Sequence, residues 1–268
     1  MMFKRYGCML IVTALSLLAA VLFLPVLLDS VESIIGAPQI DGLSMFYPLR
    51  AFANQELQSG RLPLWNPFVL CGHPFHAEGQ GAVFYPLNLP LAWLPAPLAL
   101  NLFALFHLAF AGIFFFLFMR STGTGQAASM FAAVVYMLSS GPLSRLYAGH
   151  FTIIPFLALL PALLWAWQMW CSTKAWPAIA TGGAAIGCMI LAGYPQLVLY
   201  GTMYLGWLVL VEFLRTWRKQ GIGQAKSPLL FFMMVVVIGA ALGAIQLLPS
   251  YAFAGKSFRQ VASYEFIA

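Results

Sequence analysis

Long apolar segments alternate with short polar segments along most of the chain. A helix needs about 20 apolar residues to cross the hydrocarbon core of a bilayer, and seven segments approach or exceed that length. In chain order they are Tyr6–Leu28, Pro97–Met119, Gln126–Ser140, Phe151–Trp170, Trp176–Ala192, Gln196–Leu214 and Ser227–Leu248. The third and the fifth are short and rich in Ala and Gly, so their boundaries are the least sharply defined. The pattern predicts an all-α polytopic membrane protein with about seven transmembrane helices.

These segments form one membrane domain over residues 1–268, with a single long interruption. We predict a first helix over 6–28, an outer loop over 29–97, six further spans within 98–248 and an outer segment over 249–268. Lys4 and Arg5 before the first apolar run also fit a signal peptide. No clear small-residue cleavage site follows, and Pro25 precedes bulky residues, so we interpret this segment as an uncleaved helix.

Composition and charge agree with a membrane location. Hydrophobic residues make up 62% of the chain and charged residues 7%, whereas soluble domains carry about 25% charged residues. A cytoplasmic N-terminus places the excess of Lys and Arg on the cytoplasmic side, as the positive-inside rule requires. That side then holds Lys4, Arg5, Arg120, Lys174, Arg215, Arg218, Lys219 and Lys226. The net charge of +6 is explained by this topology and gives no indication of a nucleic-acid partner.

The long outer loop contains a segment typical of a short amphipathic helix. Pro48 suits the first helical position and Gly60 the position just past the end. Leu49, Phe52 and Leu57 recur at helical spacing, with polar residues between them. Such a helix either lies on the membrane surface or packs against its own loop. The rest of the loop is rich in Pro, Gly and aromatic residues, which predicts an irregular but ordered structure because large aromatic side chains need burial.

The candidate catalytic residue is Asp41, at the start of this loop's polar stretch. A carboxylate near a membrane surface can act as general base for a hydroxyl that attacks an activated sugar. It can also orient an acceptor or bind a metal. The structural alternatives are a solvated loop aspartate or a cap on the turn before Pro48. In the same loop Trp65 or Tyr85 can stack on a sugar face, although anchoring at the membrane interface is the commoner role.

A second group of candidates lies in the segment CGHPFHAEGQ. His73, His76 and Glu78 are residue types that bind metals. An intervening proline disrupts their helical spacing, however, and no second cluster completes a closed metal site. Hydrogen bonds to a substrate or a structural role are therefore favoured, and a divalent metal is the alternative. Gln80 and Asn88 are further candidates for binding sugar hydroxyls.

The later outer segments contribute candidate cations and amides. Arg145, His150, Lys256 and Arg259 can hold a phosphate group, and arginine does so with two parallel hydrogen bonds. Gln196 lies in another short outer connection. Snorkelling to lipid headgroups explains any single one of these cations. It explains less well why all of them share a side with Asp41 and the loop histidines.

His107 is an ionisable residue inside the second predicted span. Such a residue is a functional candidate by default, but a neutral imidazole bonded to a neighbouring helix is the favoured interpretation. The chain has no phosphate-binding glycine loop, dinucleotide fingerprint or serine-hydrolase motif.

Several ordered motifs resemble one family of membrane proteins. The chain contains DGLSMFYPLRAFANQELQSGRLPLWNPFVLCGHPFHAEGQGAVFYPLN, then AASMFAAVVYMLSSG with AGH, then LAGYPQLVLY and finally IQLLPSYAFAGKSFR. Together these resemble the bacterial YfhO-type membrane proteins, which look like members of the wider GT-C class of polytopic glycosyltransferases. The resemblance spans nearly the whole chain.

The resemblance implies a fold, an activity and a catalytic residue. The expected fold is GT-C-like, in the bacterial cytoplasmic membrane, with the active face outside the cytoplasm. The expected reaction moves a sugar from a polyprenyl-phosphate donor to a cell-envelope polymer or glycolipid acceptor, without a metal or another cofactor. An acidic residue of the first outer loop is the base in such enzymes, and Asp41 is the matching position.

Two departures from the family pattern leave other functions open. Tyr194 stands where a histidine is expected in a Gly-His-Pro-Gln pattern, and family members are much longer, so we expect the chain to be an N-terminal fragment. One alternative is a transporter or flippase for lipid-linked intermediates, which requires polar groups near the membrane midplane. The other is a non-catalytic fragment or scaffold.

Overall fold

The computed structural model describes residues 2–29, 33–36 and 41–256. Regular secondary structure in these ranges is helical, apart from one isolated antiparallel bridge between Asn66 and His73. The helices are α1 (Met2–Leu28), a π-helical turn (Gly42–Phe46), α2 (Tyr47–Gln58), α3 (Phe75–Glu78), α4 (Asn88–Leu91), α5 (Ala96–Ser121), α6 (Gln126–Met137), α7 (Ser140–Tyr147), α8 (Ile154–Thr173), α9 (Trp176–Leu191), α10 (Pro195–Gln220), α11 (Ile222–Leu242) and α12 (Ala244–Ala254).

Five helical segments are long and apolar enough to cross a membrane. They are Ala96–Ser121, Gln126–Tyr147, Ile154–Thr173, Pro195–Gln220 and Ile222–Leu242. Two shorter apolar helices, Thr13–Pro25 and Trp176–Leu191, fall within the first and fifth predicted spans. The structure therefore confirms an all-helical chain with several potential membrane spans in its described part. The total of seven spans stays a prediction.

Two predicted spans have different boundaries in the structure. The third extends past Ser140, because α6 and α7 together form one segment of 22 residues. The seventh is divided, because α11 ends at Leu242 and α12 begins at Ala244. Between them Gly243 lies against α9, where an added Cβ would come within 2.5 Å of Ile190 Cγ2. Glycine is a weak helix former, and the helix is divided at this residue, where the side chain of Ile190 packs against it.

The long helices pack as one connected bundle. α5 packs along α8, and α9 lies against both α8 and α11, while α10 covers α11. α1 and α6 flank α5. One buried cluster joins α1, α5 and α6 to the outer loop, and a second joins α8 to α11.

Small residues let α9 and α11 approach closely. An added Cβ at Gly183 would lie 2.6 Å from Ile238 Cγ2, and one at Gly239 would lie 2.7 Å from Ile186 Cβ. Glycines at such crossings are typical of membrane helices, where close van der Waals packing replaces the hydrophobic driving force. This contact explains why the fifth predicted span, whose boundaries were poorly defined by the sequence, is rich in Ala and Gly.

The outward surface of α10 is apolar at helical spacing. Its exposed residues include Leu199, Tyr200, Met203, Tyr204, Trp207, Leu210, Val211, Leu214 and Trp217. A soluble protein rarely exposes so large a continuous apolar surface. This surface supports a multi-pass membrane protein with α10 facing lipid.

The connections of the bundle gather at two ends. Residues 33–36, 41–95, 148–153, 192–194 and 243–256 lie at one end, called here the loop face, where contacts between them are described below. At the other end α5, α8 and α10 finish, with Arg120, Lys174, Arg218 and Lys219 at or beside their last turns. This separation fits the positive-inside rule. Which end faces the cytoplasm stays a prediction from charge.

The outer loop is folded around α2. Phe52 and Ala53 are buried against Phe75 and Val83, and the Phe52 and Phe75 rings meet edge to face at 4.9 Å. On its other side Asn54 Nδ2 donates to the carbonyl of Leu94 at 3.1 Å. α2 therefore packs against its own loop, and its position at the membrane interface stays a prediction.

Candidate active site at the loop face

The loop face is assembled by contacts between segments far apart in sequence. Gly79 and Gly193 approach so closely that a Cβ on Gly193 would overlap the Gly79 backbone, 2.8 Å from its carbonyl carbon. Gly193 has a φ of +84°, which glycine adopts without strain. The connection between α9 and α10 thus holds the outer loop directly on the helix bundle.

Asp41, His150 and Arg145 form one connected group. Arg145 Nη1 lies 3.2 Å from His150 Nδ1. A guanidinium can only donate, so Nδ1 accepts this hydrogen bond and carries no proton. The proton of the ring therefore lies on Nε2, which is 3.2 Å from Asp41 Oδ2. The arginine thus orients the histidine with Nε2 in close contact with the carboxylate.

The carboxylate of Asp41 remains accessible in this arrangement. Its side chain is 54% exposed, and within the described ranges Oδ1 has no hydrogen-bond partner. The residue directly precedes the π-helical turn, and π-helical turns occur often at functional sites. Phe46 at the end of this turn meets Phe151, the residue after His150, with ring centroids 5.8 Å apart. Packing thus fixes the backbone on both sides of the Asp41–His150 contact.

A small cavity, lined mainly by apolar residues with four polar ones among them, lies beside this pair. Its volume is about 20 Å³, which has room for about one oxygen-sized group. The polar side chains that line it are those of Arg50, Gln80, Asn88 and Thr152. Thr152 follows His150 by two residues, so the same short connection contributes to the cavity and to the contact between Asp41 and His150. Gln80 was predicted as a substrate ligand, and the structure places it here.

Arg50 is buried without a counter-charge. Its residue is 8% exposed, and its guanidinium has neither a hydrogen bond nor an ion pair within the part of the chain that the structure describes. Burial lowers the pKa of Arg50 to about 10, so the side chain remains protonated at neutral pH. A buried charge normally has a partner because its desolvation is costly. Arg50 is therefore an unsatisfied cation at the edge of a cavity.

A wider cleft of about 300 Å³ opens on the other side of Leu49. Apolar side chains of the π-helical turn and of residues 69–75 line it, together with His73 and Glu78. His73 Nε2 lies 4.0 Å from Glu78 Oε2. Burial raises the pKa of Glu78, and the nearby His73 opposes this effect. The cleft combines an apolar wall with two titratable groups, as amphiphilic ligands require.

His76 and Gln246 join the outer loop to α12. His76 Nε2 donates to the carbonyl of Ile245 at 2.8 Å, and Gln246 Nε2 donates to the carbonyl of His76 at 2.8 Å. Ser250 Oγ donates to the carbonyl of Ala77 at 2.8 Å. His76 was predicted to bind substrate, and the structure gives it a clamping contact, with Nδ1 buried and unpaired among the described residues.

The remaining predicted ligands lie apart from these groups. Gln196 is exposed and donates to the hydroxyl of Tyr200 at 2.7 Å. Lys256 is exposed just past α12, and it lines neither the cavity nor the cleft. Arg259 lies outside the described residues. The structure thus collects Asp41, Arg145 and His150 in one group and leaves Gln196 and Lys256 outside it.

Two other candidates have structural contacts. His107 is fully buried, with Nδ1 2.6 Å from the carbonyl of Phe103 and Nε2 2.6 Å from the hydroxyl of Tyr85. Because a carbonyl only accepts, Nδ1 carries the proton and Nε2 accepts from Tyr85. The imidazole is bonded as predicted, but its partners are Phe103 of its own helix and Tyr85 of the outer loop, whereas a neighbouring helix was expected. Tyr85 is buried, so its ring is not presented to a sugar.

The sequence did not identify Arg50 or Thr152 as site residues. Arg50 occupies a polar position of an amphipathic pattern, where a solvent-exposed side chain is the ordinary expectation. The signal available in the sequence was indirect, because Asn54 stands one turn after Arg50 on the same helix face. The structure shows that both side chains are buried. Two inward polar residues one turn apart indicate a helix that packs on both sides.

No three His, Cys, Asp or Glu side chains come together as metal ligands within residues 2–29, 33–36 and 41–256. Comparison of the chain with models of protein families, with characterised proteins and with solved structures finds no match. The resemblance to YfhO-type proteins therefore stays a prediction from the motifs themselves.

Proposed function

We propose that this chain is a GT-C-like membrane glycosyltransferase that moves a sugar from a polyprenyl-phosphate donor to a cell-envelope acceptor at the loop face. The observation that carries the proposal is the accessible carboxylate of Asp41, oriented by His150 at 3.2 Å. The apolar cleft and the buried cation of the neighbouring cavity support it, because a lipid-linked sugar phosphate has apolar, polar and anionic parts.

The proposed chemistry uses Asp41 as general base. The hydroxyl oxygen of the acceptor attacks the anomeric carbon of the donor sugar, and its proton passes to Asp41 Oδ1. The bond between the anomeric carbon and the phosphate oxygen breaks, and its electron pair leaves with the polyprenyl phosphate. The leaving phosphate is an anion, so a neighbouring cation stabilises it without a proton transfer. His150 holds the carboxylate in position through Oδ2.

A position at the bundle end suits a lipid-linked donor. The polyprenyl tail can remain in the hydrocarbon layer while the phosphate and sugar reach the loop face. Transport is the weaker alternative. His107 is buried and uses both ring nitrogens for internal hydrogen bonds, whereas a transport pathway requires polar groups that are available near the midplane.

The test compares Asp41→Asn with Glu56→Gln in cells that lack the native gene. Glu56 is a matched control because it is a carboxylate of the same loop that pairs with Arg61 at 2.7 Å. Envelope polymers are measured by mass spectrometry, and protein in the membrane fraction is quantified. We expect Glu56→Gln to restore the missing sugar. Asp41→Asn should lower transfer about 10²- to 10⁴-fold, the usual contribution of a general base.

Two results would contradict the proposal. Normal glycosylation by a stably inserted Asp41→Asn variant excludes Asp41 as the base. An unchanged envelope in cells without the gene excludes the transferase function itself.

A further inference from the structure

We propose that the cavity beside Arg50 binds one oxygen of a phosphate ester. The inference does not depend on glycosyl transfer, because it rests on the charge and hydrogen-bonding capacity of the cavity. If the transferase function holds, this cavity also provides a cation for the phosphate of the donor.

The first argument is the charge of Arg50. The side chain is more than nine-tenths buried and remains protonated at neutral pH, with no acidic side chain paired to it in the described ranges. Asp41 contacts His150, and the nearest partner of Glu78 is His73. These two carboxylates therefore contact histidines and do not pair with Arg50. An anion from outside the chain is the group that offsets the desolvation of this cation.

The second argument is the set of neighbouring polar groups. The side chains of Gln80 and Thr152 line the cavity and make no hydrogen bond to any described residue. An amide and a hydroxyl can donate to an anionic oxygen alongside the guanidinium. A phosphate ester carries more negative charge than a halide at neutral pH, so it offsets the charge of the guanidinium more effectively.

The size of the cavity limits how the ligand binds. About 20 Å³ admits one oxygen and leaves the rest of the phosphate outside. Phe46 and Phe151 line the same cavity, and Phe151 follows His150 directly. A phosphate held by one oxygen at Arg50 therefore lies next to the segment that positions Asp41.

The experiment measures thermal unfolding of the purified full chain by tryptophan fluorescence at constant ionic strength. The soluble probes are inorganic phosphate and a hexose 1-phosphate, each compared with chloride in detergent. Nanodiscs of phosphatidylglycerol and of neutral lipid, compared in parallel, test a lipid headgroup as the source. We expect a higher Tm with at least one phosphate probe than with chloride.

The decisive variant is Arg50→Met, with Arg61→Met as the control. Methionine fills a similar space without charge, so Arg50→Met should raise the Tm in chloride, because replacing a buried unpaired charge by an apolar group is stabilising. The same variant should lose the phosphate effect, with binding weakened at least tenfold. Arg61 is exposed in the same loop, and its replacement should leave the phosphate effect unchanged.

Three results would overturn the proposal. They are the absence of stabilisation by every phosphate probe, an equal effect of phosphate on Arg50→Met and the unsubstituted protein, and a lower Tm of Arg50→Met in chloride. Repeating the measurement on Asp41→Asn separates this proposal from the transferase function, because that variant should retain the phosphate effect.

Discussion

The contact between Gly79 and Gly193 provides the sharpest prediction about how the loop face is built. Replacing Gly193 by Ala introduces a Cβ 2.8 Å from the carbonyl carbon of Gly79. The neighbouring atoms belong to the backbone, so no side-chain rotation relieves the overlap. The substitution also places a non-glycine residue at a φ of +84°, which adds a second cost that does not depend on the contact.

The two costs can be separated. A left-handed conformation costs a non-glycine residue about 1–2 kcal/mol, and overpacking adds about 1–3 kcal/mol. Gly123→Ala is the matched control, because Gly123 has a φ of +89° and nothing within 4 Å of an added Cβ. The control should show the conformational cost alone. For a chain of this size the extra cost lowers the Tm by roughly 2–10 °C more than the control.

Two measurements check this prediction. Tryptophan fluorescence gives the Tm of both purified variants. Trypsin cleavage after the buried Arg50 reports whether the outer loop has separated from the bundle, and we expect faster cleavage only in Gly193→Ala. Equal Tm values and equal cleavage rates for the two variants would show that the Gly79–Gly193 contact does not hold the loop.

Two further predictions concern the same loop. Gln246→Leu removes the donor to the carbonyl of His76 and should cost about 1–3 kcal/mol, the usual penalty of an unpaired buried polar group. Gln196→Leu, at an exposed glutamine, should stay within about 0.5 kcal/mol of the unsubstituted protein, and equal Tm values for the two variants would contradict the clamp. Burial raises the pKa of Glu78 in the folded protein above its value in the unfolded chain. The contribution of Glu78 to the free energy of unfolding is therefore fully present below the unfolded-state pKa, and it is lost as the pH rises through the folded-state pKa. Glu78→Gln should therefore raise the Tm at pH 7.5 and flatten the pH dependence of the Tm above pH 4.5. A lower Tm of this variant at pH 7.5 would show that the charged carboxylate of Glu78 does not destabilise the fold.

The sequence determined the class of fold, because crossing a bilayer constrains local composition strongly. Each segment such as Pro97–Met119 must satisfy its own backbone as a helix and present apolar side chains to lipid. The local sequence shows this requirement without any knowledge of the helices that pack against the segment. The same locality made Asp41 a candidate, since its place after the first apolar segment depends only on chain order.

Boundaries were less predictable where packing decides them. The division at Gly243 follows from its contact with Ile190, and a residue of another helix does not appear in the local pattern. The burial of Arg50 has the same origin. Its helix packs on both sides, so a position that is polar in the amphipathic pattern points inward.

The candidate site was decided by tertiary structure. Asp41 and His150 come from separate segments, as do His76 and Ile245, and the sequence placed them only on the same side of the membrane. Their contacts depend on how the helices that precede and follow each connection pack against one another. Chain order alone therefore determined which residues can meet, and helix packing determined that Asp41 meets His150 while Gln196 and Lys256 lie apart.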